Sequence, residues 1–183
     1  MPYLYGQNIR LRAAERADIP QFLCWINDPE VVENLEVYAP MGMVEEESWF
    51  EAMKTRPINE HVLVIEVHPQ GETDAWVAIG NTSFFPIDEK ARSVEIGIMI
   101  GEKEYWNQGY GTETMRVMCR YGFEELNLNR IWLRVYETNP RGRNAYQKAG
   151  FVHEGTLREA EYKRGRYIDV HVMSVLKSDW LRR

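Results

Sequence analysis

The stretch YWNQGYGTETM, Tyr105 to Met115, sets two glycines two residues apart at the head of a helix-like run. Fixing a glycine costs more backbone entropy than fixing any other residue. A pair beside a helix start therefore points to close approach of the backbone to something, either a tight turn or a phosphate-rich ligand. A Walker loop needs Gly-Lys-Ser/Thr, and Gly111 is followed by Thr112, Glu113 and Thr114. A dinucleotide fingerprint needs a third glycine where Thr114 stands and an acid near Ile131. Both readings fail. What stays is a strand, a glycine turn and a helix N-terminus with free N–H groups, a cradle suited to pyrophosphate. A plain turn with a helix cap is the other reading.

Outward from that stretch the hydrophobic period alternates between two values. NIRLRAA places Ile9 and Leu11 against Arg10 and Arg12, the period-2 pattern of a half-buried strand. DIPQFLCWIND carries Ile19, Phe22, Leu23 and Ile26 at helical spacing, with Asp18 as expected cap and Gln21 as its capping-box partner. VEEESWFEAM reads as a second helix with an acidic first turn, which the helix dipole favours. HVLVIEV, WVAIGNTSFF and SVEIGIMI read as three strands. TETMRVMCRYGFEEL puts Met115, Met118, Cys119 and Leu126 on one helical face, and RIWLRVY is a strand with Ile131, Leu133 and Val135 on one side. NPRGRNAYQKAGF is a short helix capped by Asn139, started by Pro140 and closed by Gly150. The tail forms two strands around KRGR. The fold class is α/β, a mixed sheet flanked by helices.

With 183 residues and no repeat or linker, the expectation is a single domain over residues 1–183. A hydrophobic fraction of 44% beside 27% charged residues is that of a globular protein, and no apolar run is long enough for a membrane span. The start, MPYLYGQNIR, lacks the basic and apolar regions of a secretory signal. Cys24 and Cys119 have no metal or redox spacing and read as small buried hydrophobes, so a cytoplasmic protein without metal is expected. The net charge of −6 argues against a nucleic-acid partner and is compatible with a cationic acceptor.

Taken in order, SVEIGIMI, WNQGYGTETM and RVYETNPRGRNAYQKAGF resemble the core of the GNAT N-acetyltransferase superfamily. WINDPEV and YGFEELNLNRIWLRV are similar to its branch of ribosomal-protein N-terminal and spermidine acetyltransferases. The resemblance spans Asn8 to Trp180 and is densest from Val94 to Phe151. It implies a mostly antiparallel central sheet, splayed between the strands EIGIMI and RIWLRVY, with acetyl-CoA as donor. It further implies that main-chain groups at Ile98, Met99 and Ile100 bind pantetheine. The backbone of Gln108, Gly109, Tyr110, Gly111 and Thr112 would hold the pyrophosphate, and Asn139 would contact the cofactor. Two positions depart from the family: Trp106 stands where Gln or Arg is usual, and Gly142 where Ser is common.

Acetyl transfer to an amine needs a base for the ammonium proton and a donor for the leaving sulfur. Glu95 is the first choice as base, acting through water; its other reading is a strand-edge carboxylate facing solvent or paired with Arg92. Asp169 and His171 are the alternatives. Tyr146 matches the family tyrosine over the sulfur, and its other reading is an aromatic covering the sheet. Arg141, Arg143 and Lys148 are near enough in sequence to reach the adenosine 3′-phosphate. Asp28, Glu30, Glu33, Glu36, Tyr38, Glu45 to Glu47, Trp49, Glu159 and Glu161 lie in the segments expected to line the acceptor. A polyamine, a protein N-terminus, an amino sugar or an aminoglycoside would serve as acceptor. A catalytically silent acyl-CoA-binding module is the alternative function. A homodimer is the default oligomer, with Trp180 among the aromatics available to a subunit contact.

Overall fold

In a computed structural model that describes residues 3–69 and 75–182, the chain forms two compact units. The first comprises Met1–Phe84 and Gly97–Tyr110, the second Phe85–Ile96 and Gly111–Arg183. Among the described residues, eight strands follow the hydrogen-bonded order β1-β2-β3-β4-β5-β6-β8-β7.

The first unit contains β1 (Leu4–Tyr5), β2 (Ile9–Ala13), β3 (Leu63–Val67), β4 (Val77–Phe84) and the second half of β5 (Ser93–Ile100). Antiparallel register pairs Leu11 with Ile65 and Arg10 with Glu66. The predicted alternation of β2 holds: Ile9 and Leu11 are buried, while Arg10 and Arg12 turn to the other face. There both arginines donate to the buried carboxylate of Glu66, at 2.6 and 2.8 Å, and Arg12 also clasps Asp18 with two bonds of 2.8 and 2.7 Å. Helices α1 (Ile19–Ile26) and α2 (Met43–Lys54) bury Ile19, Phe22 and Trp25, and Phe50 and Met53, in one cluster with Val62 and Val64. Asp18 does not cap α1 as expected. Its carboxylate accepts from Arg12 and the Glu15 N–H, and Gln21 donates to Glu102 instead. A charged guanidinium outcompetes a helix N–H for the carboxylate.

The second unit contains the first half of β5, β6 (Arg130–Tyr136), β7 (Val152–Lys163) and β8 (Arg166–Leu176), with α3 (Tyr110–Arg120), α4 (Pro140–Ala149) and α5 (Lys177–Trp180). The β5–β6 pair is parallel and its register covers only Ser93↔Arg130, Val94↔Ile131 and Glu95↔Trp132. Ile131, Leu133 and Val135 are buried as predicted. On α3, Met115, Met118 and Cys119 are buried, but a π turn over Tyr121–Glu125 shifts the face, so that Phe123 is buried and Leu126 only partly so. Trp180 is not an exposed aromatic: it is half-buried, its ring centroid 6.0 Å from that of Phe123. Cys24 departs from expectation too, since it is exposed on the outer side of α1, whereas Cys119 is buried. The short β1 and α5 are not legible in the sequence because two and four residues carry no measurable period.

Close packing dictates one glycine. A Cβ on Gly80 of β4 would stand 2.1 Å from the Met99 carbonyl oxygen of β5, a backbone atom that cannot swing aside. Gly80→Ala should therefore lose about 1–3 kcal/mol or more, whereas Gly155→Ala, with nothing within 4 Å, should change stability by less than about 0.5 kcal/mol; urea unfolding of both variants checks this. Asp18 gives a pH signature. Burial pushes its carboxyl up, but the bonds from Arg12 and the Glu15 N–H outweigh it and hold the group below its ordinary value of 3.8. A depressed folded pKa means stability that is present above that value and lost as pH falls through the folded one. Asp18→Asn should thus be destabilised at neutral pH, with the gap from wild type closing below pH 3.8.

Candidate active site

Ile98, Met99, Ile100, Gln108, Gly109 and Tyr110 belong to the first unit; Glu95, Gly111, Thr112, Asn139, Arg143 and Tyr146 belong to the second.

In the first unit the strand alternation of β5 assigns its backbone groups. Gly101 N–H donates to Ile79 of β4, the Gly97 carbonyl accepts from Thr82 Oγ1 at 2.7 Å, and the Met99 carbonyl lies against Gly80. Odd-numbered residues thus direct their main chain to β4, so Ile98 and Ile100 direct theirs to the opposite edge. Of the three residues expected to present main chain to a ligand, Met99 does not. At that edge the Ile100 carbonyl accepts the Trp106 indole N–H at 2.8 Å. Trp106, where Gln or Arg is usual, is thus held at both ends of its ring system. Its apolar body packs against the α1–α2 cluster while its N–H ties the glycine turn to the end of β5.

The turn itself is left-handed at two positions, Asn107 with φ 62° and Gly109 with φ 92°. Gln108 is anchored by its side-chain amide to the Glu104 carbonyl, 2.6 Å away. The helix begins at Tyr110, whose ring lies 5.9 Å from that of Tyr105. Alternating left- and right-handed residues at a helix start turn successive N–H groups inward, the geometry of an anion-binding nest. At Gly111 nothing lies within 4 Å of where a Cβ would be. No neighbour in the protein demands a glycine there.

In the second unit, Asn139 caps α4 as predicted, accepting the Gly142 N–H at 2.8 Å, and Gly150 closes it at φ 109°. A Cβ at Gly142 would sit 2.7 Å from the Asn139 amide nitrogen, which gives the second departure a local cause. Thr112 Oγ1 donates to the Ala145 carbonyl at 3.3 Å and ties α3 to α4. Tyr146 is half-buried, and desolvation pushes its phenol up to about 12, against a downward pull from Arg141. The phenol holds its proton at neutral pH.

Arg143 points back over the sheet, its Nη1 3.3 Å from His171 Nε2 on β8. Lys148 accepts a bond from Arg116 at its carbonyl. His171 Nδ1 lies 2.9 Å from Thr156 Oγ1, which is 3.2 Å from His153 Nε2. Because Arg143 can only donate, His171 accepts at Nε2 and donates at Nδ1. Burial, then Arg143 and His153, hold this imidazole below its usual range. Asp169 accepts the Glu159 N–H at 2.8 Å and so braces an irregular stretch of β7.

Glu95 sits on the last paired rung of β5 and β6, opposite Trp132, and lines a cavity of about 600 Å³ with Phe85, Asp88, Ser93, Arg130 and Trp132. Its carboxylate pairs with Arg134 at 2.8 Å and not with Arg92, whose carbonyl instead accepts the Asn129 N–H. Sequence reasoning misses Arg134 because it neighbours Glu95 only through the parallel register. The candidate acceptor acids are mostly engaged: Asp28 and Glu30 with Lys103, Glu45 with the Gly42 N–H, Glu47 with Arg16. No group of three or more metal-ligating side chains occurs among the described residues, nor any helix long and apolar enough to cross a membrane.

Residues 8–152 match the family described as the acetyltransferase (GNAT) domain. The uncharacterized N-acetyltransferase p20 of Bacillus licheniformis is 28% identical over 98% of this chain and 99% of its own. A spermidine N(1)-acetyltransferase of Vibrio cholerae is 36% identical over 57% of this chain and 60% of its own. A crystal structure of spermidine N-acetyltransferase from Vibrio cholerae in complex with CoA and spermine superposes with a TM-score of 0.82 at 29% identity, covering 96% of this chain and 99% of that one. The matched span contains the glycine turn, the paired rungs of β5 and β6, and the α4 residues Asn139 and Tyr146, and the chain belongs to the GNAT family of acetyltransferases.

Proposed function

We propose that this chain moves the acetyl group of acetyl-CoA to a primary amine by direct attack in a ternary complex, with a polyamine first among the acceptors. The observation that carries the reading is the glycine turn at the head of α3. Its left-handed Asn107 and Gly109, and the open space at Gly111, leave main-chain N–H groups with no side chain in front of them. That arrangement fits a pyrophosphate. Backbone from Gln108 to Thr112 would hold it, Ile98 and Ile100 would face the pantetheine amides, and Asn139 would add a cofactor contact through its amide. Arg143 would reach a phosphate only by leaving His171. The acceptor class is supported by the spermidine N-acetyltransferases of Vibrio cholerae.

When bound, acetyl-CoA supplies an activated thioester acyl group. The protein must free the amine and receive the sulfur. An alkyl ammonium titrates near ~10.4, so exposing its lone pair at pH 7 costs about 4–5 kcal/mol. Glu95, on the wall of the cavity beside Phe85 and Trp132, takes that proton through water as the C–N bond forms. Tyr146 faces the opposite demand. A phenol near 12 does not hand its proton outright to a thiolate near ~8.5, since that transfer runs uphill by about 5 kcal/mol. Tyr146 instead donates a hydrogen bond to the departing sulfur, and the thiolate takes its proton from solvent.

CoA thiol release from acetyl-CoA, measured against spermidine, short peptides, amino sugars and aminoglycosides, tests the reading. Glu95→Gln should lower turnover by about 10²–10⁴-fold and Tyr146→Phe, which removes one hydrogen-bond donor, by about 10²–10³-fold, while acetyl-CoA still binds. Binding without release for any amine would overturn transfer, and equal turnover in Tyr146→Phe would remove Tyr146 from the mechanism. Gly111→Leu separates cradle from fold. A Cβ there meets nothing within 4 Å, so the melting temperature should hold while acetyl-CoA affinity falls by about tenfold or more, read by calorimetry.

A further inference from the structure

Arg143 is a charge without a countercharge. Arg10, Arg12, Arg130 and Arg134, all on strands, each meet a carboxylate within 2.8 Å. Arg143 meets an imidazole instead: its Nη1 is 3.3 Å from His171 Nε2, and among the described residues no carboxylate pairs with it. Its place in the helix adds to the imbalance. It is the fourth residue of α4, whose first turn holds no acid, and the dipole makes that end of a helix positive. A separation of 3.3 Å is also at the long end of the range for an N–H donor, so the bond that holds Arg143 is a weak one.

The rest of the cluster fixes where a proton can go. Arg143 only donates, so neutral His171 keeps Nε2 bare and carries its hydrogen on Nδ1, which gives it to Thr156 Oγ1, 2.9 Å away. His153 Nε2 closes the row, 3.2 Å from the same hydroxyl. That hydroxyl can both donate and accept, so a proton added at His153 leaves every contact in place. A proton added at His171 can go only to Nε2, and must expel Arg143 to reach it. The result is two cations whose donors face the same opening. His171 and Arg143 are half-buried while Thr156 and His153 are exposed, so solutes can reach it.

The charges around His171 set the sign. Burial first, then Arg143 and His153, hold it below its ordinary value of 6.5; Asp169 on the same strand and Glu137 after β6 pull the other way and do not prevail. Asp169 is already engaged by the Glu159 N–H at 2.8 Å. An anion seated between Arg143 and His171 would cancel their repulsion, and the imidazole would then take its proton at higher pH.

We infer that Arg143 and His171 form an oxyanion site that takes up an anion and a proton together, with a phosphate or sulfate group as ligand. Without the anion, neutral His171 holds the guanidinium over the sheet. With it, both side chains donate to the anion's oxygens, the kind of charge-assisted bond that is strongest. Anion binding and proton uptake then strengthen each other by the same factor. All four side chains of the cluster belong to the second unit, and the inference stands whether or not the chain transfers acetyl groups.

The imidazole NMR signals of wild type test this directly, with those of His171 assigned by their loss in His171→Gln. Above its midpoint His171 should be the Nδ1–H tautomer. Sulfate, which keeps its charge over this range, should raise that midpoint relative to chloride at equal ionic strength, so that His171 binds its proton about tenfold more tightly. Arg143→Gln should abolish the rise. The same titration with acetyl-CoA, and with its analogue lacking the 3′-phosphate, names the source. A rise with acetyl-CoA that the analogue fails to give assigns the anion to the 3′-phosphate, a rise with both assigns it to the pyrophosphate, and a rise with sulfate alone makes the ligand a free oxyanion. No rise with either sulfate or acetyl-CoA overturns the inference. So does an Nε2–H tautomer in the ligand-free protein, or a rise that survives Arg143→Gln.

Discussion

Strand β5 carries two obligations at once. Its first half runs parallel to β6 for three rungs, and its second half lies against β4 so closely that Gly80 admits no side chain. Backbone hydrogen bonds must be satisfied or solvated, and β5 keeps bonds on its β4 side along its whole length while its register with β6 covers three rungs, so the main chain of its second half that faces away from β4 needs other partners. Ile98 and Ile100 direct their main chain to that edge, and Trp106 donates to one of its carbonyls. The glycine turn follows directly and is tied to the same carbonyl. The pantetheine contacts proposed for Ile98 and Ile100 depend on that edge.

Charge is handled economically elsewhere. Glu66 is buried but satisfied by two arginines, Asp18 by one, Glu154 by Arg130 and by Ser174. Carboxylates with such partners hold strands and turns in register. Against that background Glu46, on the inward face of α2, is buried with no partner among the described residues, and burial alone raises its pKa. Tyr146 is a second group raised by desolvation, though its hydroxyl is neutral and tolerates a dry site better than a carboxylate does.

The helices and strands are largely legible in the sequence because their periods are strong. Ile131, Leu133 and Val135 alternate, and Asn139, Pro140 and Gly150 mark both ends of α4 with residues whose backbone chemistry is local. The misreadings are of another kind. Asp18 looks like a cap until Arg12, six residues earlier, takes its carboxylate. Leu126 fits the face of α3 until a π turn shifts the count. Trp180 looks free until Phe123 covers it. The Trp180 error comes from a partner far along the chain, and the other two come from a competing side chain and a helix irregularity that hydrophobic period does not encode.

The sequence by itself determined the α/β class, the ends of α4, the glycine turn and the resemblance to the GNAT family, because each rests on short-range periodicity, capping or an ordered motif. Only the tertiary structure decided which carboxylates are engaged and which is not. It paired Glu95 with Arg134 across parallel strands, set Arg143 against His171, turned the Met99 carbonyl toward β4, and left Glu46 alone among three adjacent glutamates. The physical reason is that pairing and desolvation are properties of distance in space, and residues 39 or 28 apart in the chain become neighbours only when the strands and helices that carry them are packed.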